Sequence, residues 1–157
     1  MATWFECKVR YDKQQENSAA VKKVTETFLV DALSFTEAEA RIIEERTPYI
    51  SGDFSVTAVK RTKIAEIFFD DAEEADRWYM VKYLITTIDE KPTEVGKPAV
   101  EKKTSVLTLV QAGNFRGALD AFLKGMKDTL MDYEIASIAE TPLLDVYPAK
   151  LSTSSAQ

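Results

Sequence analysis

An aromatic ring beside lysines on one face of a β-strand can stack on a nucleobase while the ammonium groups meet phosphates. This chain carries that pattern twice. Trp4 and Lys8 share one face of an N-terminal strand, and Trp78 and Lys82 repeat the spacing later in the chain. Lys22-Lys23 and Lys102-Lys103 open the strands expected to pair with them. The densest basic cluster, Lys60, Arg61 and Lys63, has no second copy, because Ala139, Glu140 and Pro142 stand at the matching places. Together these residues form a candidate nucleic-acid-binding set. A competing reading assigns the tryptophans to packing between repeats and the lysines to solvated strand edges, where charge discourages strand addition.

Other chemistries find little support. The chain has no histidine, so a Ser-His or Cys-His pair and a His-ligated metal are excluded within one chain. Its one cysteine, Cys7, alternates with Phe5, Val9 and Tyr11 on the apolar side of a strand, where a thiol acts as a small hydrophobe. Glu6 and Lys8 share a strand face as in metal-dependent nucleases, but no acidic partner falls into place. The run Asp70, Asp71, Glu73, Glu74 and Asp76 lacks the spacing of a calcium loop and reads as a solvated connector. No glycine-rich phosphate loop is present. A net charge of −6 argues against coating duplex DNA by charge alone. The expectation is a protein without catalytic residues, metal or cofactor.

The elements that must position these residues come from a duplication. Lys22–Arg41, KKVTETFLVDALSFTEAEAR, aligns without a gap on Lys102–Ala121, KKTSVLTLVQAGNFRGALDA. Identical pairs fall at Lys22/Lys102, Lys23/Lys103, Leu29/Leu109, Val30/Val110, Ala32/Ala112, Phe35/Phe115 and Ala38/Ala118. Ordinary composition gives about one match by chance in such a window. Trp4–Asp12 alternates as a half-buried strand, and Lys22–Ala32 forms its partner. Ser34 with Glu37 forms a capping box, as does Thr36 with Glu39, and Asn114 sits where Ser34 sat. Phe35, Ala38, Ile42 and Ile43 make the first helix's apolar stripe, which Thr47-Pro48 ends. Phe54–Lys60 and Ile64–Phe69 read as strands matched later by Tyr133–Ile138 and Leu143–Tyr147.

Each repeat therefore reads strand–strand–helix–strand–strand. The fold class is α+β: mainly antiparallel sheets with two helices, barrel-like closure being left open. Residues 1–150 make one domain of two repeats, about 3–70 and 77–148, parted by Asp70–Asp76. Asp89–Glu101 is expected to be a loop and residues 149–157 a disordered tail.

The stretches MATWFECKVRYDK, FLVDALSFTEAEARI and DYEIASIAETPLLDVY resemble a family of domains of unknown function from gut anaerobes, their phages and mobile elements. The resemblance spans about Thr3 to Tyr147. It implies a phage or mobile-element setting and a cytoplasmic protein, and it carries no catalytic residues. Two functions are consistent with the residues. One is a non-enzymatic nucleic-acid-binding accessory protein that takes single strands. The other is a binder or inhibitor of a host defence protein, or a sponge for a signalling nucleotide, acting between repeats or as a homo-oligomer. No membrane association is expected, since no apolar run is long enough to span a bilayer.

Overall fold

The computed structural model describes residues 3–14, 21–89 and 100–149. In chain order the elements are β1 (Trp4–Gln14), β2 (Val21–Asp31), α1 (Phe35–Arg46), β3 (Phe54–Arg61), β4 (Ile64–Phe68), β5 (Arg77–Asp89), β6 (Val100–Ala112), α2 (Phe115–Gly125), β7 (Tyr133–Glu140) and β8 (Leu143–Tyr147). They form two four-stranded sheets, ordered β3-β1-β2-β8 and β4-β6-β5-β7. Both sheets are open, so the barrel-like alternative does not hold. Pairing is antiparallel apart from β2 with β8 and β4 with β6.

The duplication extends to register. Trp4 faces Asp31 on β2 as Trp78 faces Gln111 on β6. The ladder of β1 with β3 shifts between Lys8 and Val9, and that of β5 with β7 between Lys82 and Tyr83, the matching place. The parallel pairs shift together as well: Leu29 meets Val146 and Val30 meets Tyr147, just as Leu109 meets Ile67 and Val110 meets Phe68. Position by position, β8 of one sheet is thus the equivalent of β4 of the other.

That equivalence exposes an exchange. One compact unit takes the chain up to Lys63 together with the residues from Pro142 on; the other is Ile64–Thr141. Each repeat lends its fourth strand to the sheet built on the other repeat's hairpin. The reason lies in the connectors. Tight hairpins need glycine or asparagine at positive φ, whereas β3 leads to β4 through Thr62-Lys63 and β7 to β8 through Thr141-Pro142. Thr62 donates both its amide and its hydroxyl to the Trp4 carbonyl, at 2.9 and 2.8 Å. Thr141 does the same to Trp78, at 2.8 and 2.9 Å. These paired bonds end each ladder and send the chain onward instead of back. The compact units part at Lys63/Ile64 and Thr141/Pro142, while the sequence repeats meet along Asp70–Asp76.

Each unit buries the helix-facing side of its sheet. In the first, Phe5, Cys7, Val9, Phe28 and Val30 meet Ala38 and Ile42 of α1. In the second, Val81, Tyr83 and Val110 meet Phe122 and Met126, with Tyr83, Phe122 and Tyr133 forming an aromatic trio. The caps follow the sequence: the Ser34 hydroxyl accepts the Glu37 amide at 3.1 Å and the Asn114 carboxamide accepts that of Gly117 at 2.7 Å. The apolar stripe of α1 is narrower than its periodicity implies, since Phe35 is half exposed and Ile43 is exposed at 41%. The expected Asp89–Glu101 loop is shorter at both ends, with β5 reaching Asp89 and β6 beginning at Val100. Its middle, the disordered-tail expectation beyond Ala149 and most of the first hairpin turn lie outside the described residues.

Cys7 is fully buried beneath α1. Burial pushes its thiol up from 9.0 to about 11, and the carboxylates of Glu6 and Glu39 add to the effect. The folded protein favours the neutral thiol, so this contribution is complete below pH 9 and is lost as pH rises from there to about 11. Iodoacetamide at pH 8 should therefore leave the native protein unmodified and label it only in denaturant. Stoichiometric native labelling would place Cys7 at an accessible site.

Candidate functional site

The tryptophans are the first departure from the nucleic-acid pattern. By strand alternation Trp4 and Trp78 stand on the sheet faces opposite the helices, yet they are only 7% and 4% exposed. The Trp78 ring meets Phe69 edge to face, 5.7 Å between centroids. Neither indole offers a face to a base, and the stacking expectation is corrected on that ground. Aromatic residues next to solvated lysines look alike in sequence whether the ring is covered or open.

The cations separate by face. In the first unit the register places Lys8, Lys23 and Lys60 on the face opposite α1, with Arg10 beside them. Glu6 lies opposite Lys60, and Asp12 opposite Lys23, on that same face. Lys22 and Arg61 stand on the helix side, where the Arg61 guanidinium lies 5.5 and 5.6 Å from the ring centres of Phe5 and Phe35. Lys63 is exposed in the connector to β4. In the second unit Lys82 and Lys103 share a face and Lys102 takes the other. Lys103 pairs with Glu134 at 3.0 Å, which raises its pKa. Of the set, Lys8, Lys23 and Lys60 share one exposed face, which Arg10, not among the expected residues, joins. Arg10 and Lys23 also line a small cleft of about 280 Å3 with Tyr11 and Asp53.

The larger concavity was not legible in the basic residues. A groove of about 780 Å3 opens between the end of β4 and the last turns of α2, lined by Ile67, Phe68, Phe69, Asp70, Asp71, Gln111, Ala121, Lys124 and Gly125. Its shape depends on close approaches. A β-carbon on Gly125 would come within 2.5 Å of the Phe68 ring, and one on Gly113 within 2.3 Å of the Glu74 carbonyl oxygen. Asp70–Asp76 is accordingly an anchored loop and not a free connector. Gln111 accepts the Asp70 amide and donates to the Ala75 carbonyl, both at 3.0 Å, and Asp70 caps the Ala72 amide at 2.9 Å. Asp70, Asp71 and Lys124 are the charged residues of the lining.

The equivalent place in the first unit is occupied from within. Arg41 of α1 donates one guanidinium nitrogen to the Asp31 carbonyl and the other to the Pro148 carbonyl, the latter at 2.9 Å. Asp31 matches Gln111, Pro148 matches Phe69, and Arg41 matches Ala121. One unit thus fills with an arginine the space that the other leaves open above an alanine methyl. The signal in the sequence was the last pair of the aligned windows, Arg41 against Ala121.

A second contrast lies beneath α1. Arg46 points among Glu26, Tyr147 and Phe28: Nη2 is 3.9 Å from the Glu26 carboxylate, Nη1 donates to the Tyr147 hydroxyl at 3.0 Å, and the guanidinium lies 4.4 Å from the Phe28 ring centre. Burial, then Glu26, pushes the Tyr11 phenol up; burial likewise raises Tyr147, against the opposing pull of Arg46. The second unit has Val106, Met126, Phe68 and Ile85 at the positions of Glu26, Arg46, Tyr147 and Tyr11, all packed as core. This cluster holds charge inside the unit. Among the described residues no group of three metal-ligating side chains converges.

The chain belongs to a family of domains of unknown function, DUF4494, whose model matches residues 3–149. No curated protein and no solved structure matches the chain. Among the described residues no helix is long and apolar enough to cross a membrane.

Proposed function

We propose that this protein is a non-catalytic binding protein that engages a partner polypeptide through the groove beside α2. Its setting is the cytoplasm of a cell hosting a phage or mobile element, where it binds or inhibits a host factor. The observation that supports the partner-binding reading is the asymmetry between the units. Two copies of one fold share register, bulges and caps, but an arginine, Arg41, spans in one the place that lies above Ala121 in the other. The phage setting rests on the sequence resemblance alone. Replacing Ala121 by arginine should supply the second unit with the plug that Arg41 provides in the first. Native mass spectrometry of protein purified from its host should then show a stoichiometric polypeptide on the wild type that is lost from Ala121→Arg. Retention of the same partner by a folded Ala121→Arg protein would exclude the groove.

A second reading draws on the exposed cations of the first sheet. Lys8, Arg10, Lys23 and Lys60 can meet the phosphates of a single-stranded nucleic acid without stacking. Each neutralised phosphate contributes about −0.7 to the slope of log affinity against log salt. The Lys8→Glu, Lys60→Glu double variant should therefore lose about 1.4 of that slope. Because both indoles are covered, tryptophan fluorescence should stay unquenched on binding. A wild type that ignores single-stranded oligonucleotides at low salt would rule this reading out.

A further inference from the structure

We propose that the groove beside α2 is a guanidinium receptor, occupied by an arginine side chain that the partner polypeptide presents. This deepens the partner-binding reading and rests on it. The chain itself contains the precedent. In the first unit the guanidinium of Arg41 bridges two backbone carbonyls, those of Asp31 and Pro148, where the end of β2 meets the end of β8. The register puts Gln111 and Phe69 at the equivalent positions of the second unit. Ala121 stands in place of Arg41, and a methyl group cannot reach them.

The vacated place keeps carboxylates that a foreign cation could meet. Asp70 and Asp71 follow Phe69, whereas Ala149 and Lys150 follow Pro148 in the sequence. The first unit has Asp31, Glu44 and Glu45 where the second has Gln111, Lys124 and Gly125, so in the second the acidic residues of the lining are Asp70 and Asp71, in a pocket that supplies no arginine of its own. Lys124 is the cation that α2 turns to the groove, so the lining keeps an excess of one negative charge. Phe69, 54% exposed and braced by Trp78, offers a ring for a guanidinium to lie against. Arg61 and Arg46 already lie over rings in this way in the first unit.

Two carbonyls separated across a strand end suit a planar fork with several donors. They suit the compact ammonium of lysine less well. The groove volume, about 780 Å3, lies in the ~300–1,000 Å3 range of sites that enclose whole ligands and leaves room for residues flanking the arginine. The occupant is therefore a segment of polypeptide, not the free amino acid.

The test is an amide chemical-shift titration of the full chain with the peptide acetyl-Gly-Arg-Gly-amide. Its controls carry citrulline, which keeps the shape without the charge, or lysine in place of arginine, and free L-arginine separates polypeptide from metabolite. Saturable shifts are expected at Gly125, Gln111 and Asp71. Binding should be at least tenfold weaker for citrulline, severalfold weaker for lysine and for free arginine, and absent in Ala121→Arg. Asp71→Asn, an exposed change that leaves the fold intact, should weaken it about threefold or more. The proposal is overturned if the wild type shows no saturable shift, if citrulline or free arginine binds as well as the arginine peptide, or if Ala121→Arg or Asp71→Asn binds unchanged. Should Ala121→Arg shed the host partner while the wild type ignores the arginine peptide, the occupant is wrong and the groove reading stands. Should the peptide bind saturably while the partner stays on Ala121→Arg, the guanidinium receptor stands and the partner-binding reading fails.

Discussion

Trp78→Ala should cost the protein about 3–5 kcal/mol of folding stability, the usual loss for truncating a buried large aromatic. The ring is 4% exposed, and its removal also takes the edge-to-face support from Phe69. Whole domains are stable by only about 5–15 kcal/mol, so the variant should stand near the limit of folding. With a urea dependence of about 1–3 kcal/mol per molar, the unfolding midpoint should fall by about 2 M. Trp4→Ala should behave alike, because Trp4 is 7% exposed and occupies the matching register position. Trp78→Phe should recover much of the loss by refilling part of the space. A change below about 1 kcal/mol for Trp78→Ala would mean that the ring lies open to solvent. Base stacking would then return as an explanation for the repeated Trp and Lys spacing.

That pairing of tryptophan with lysine shows where sequence reading stops. Strand alternation assigned Trp4 and Lys8 to one face, and they do share it, but alternation is blind to what else covers that face. The duplication was legible for the opposite reason. Identity in an ungapped window reports a shared backbone, and the backbone repeats down to the displaced pairs at Lys8/Val9 and Lys82/Tyr83. Strand and helix positions and both caps followed from local chemistry. The exchange of β4 and β8 did not, since membership of a sheet is decided by long-range pairing. Its trace was negative: Thr62-Lys63 and Thr141-Pro142 lack the residues a tight hairpin needs. The groove was hidden for a related reason. Its floor comes from β4 and β6, distant in sequence, and its defining feature is a missing side chain. Only once Arg41 is seen bridging Asp31 and Pro148 does Ala121 become informative.

The same comparison between halves makes the charges under α1 testable. Arg46→Met gives the first unit the residue found at Met126, but it strands the Glu26 carboxylate, whose side chain is only 19% exposed, and removes the donor to Tyr147. Removing one member of a buried pair costs about 3–5 kcal/mol. Residual exposure of both side chains places the expected loss near 3 kcal/mol, at the lower end of that range. Glu26→Val alone should be comparably harmful, since Arg46 would keep its charge with one partner fewer. Made together, the two changes reproduce the Val106 and Met126 arrangement, and replacing a buried ion pair by apolar residues is often neutral or stabilising. The double variant should thus lie within about 1 kcal/mol of wild type, giving a coupling energy of several kcal/mol in a double-mutant cycle. Adding Tyr147→Phe, after Phe68, should remove the last hydroxyl left without its donor. The phenols of Tyr11 and Tyr147 are both raised above 10.0, so their contribution is complete below that pH and fades above it. The alkaline loss of stability should therefore be smaller in the triple variant, which keeps one phenol and has no Glu26 carboxylate beside it. Urea unfolding of the four proteins of the cycle and of the triple variant, followed by circular dichroism at neutral and alkaline pH, measures each quantity. Simple additivity of Arg46→Met and Glu26→Val would show that the two side chains do not support one another and that the polar interior of the first unit has some other cause.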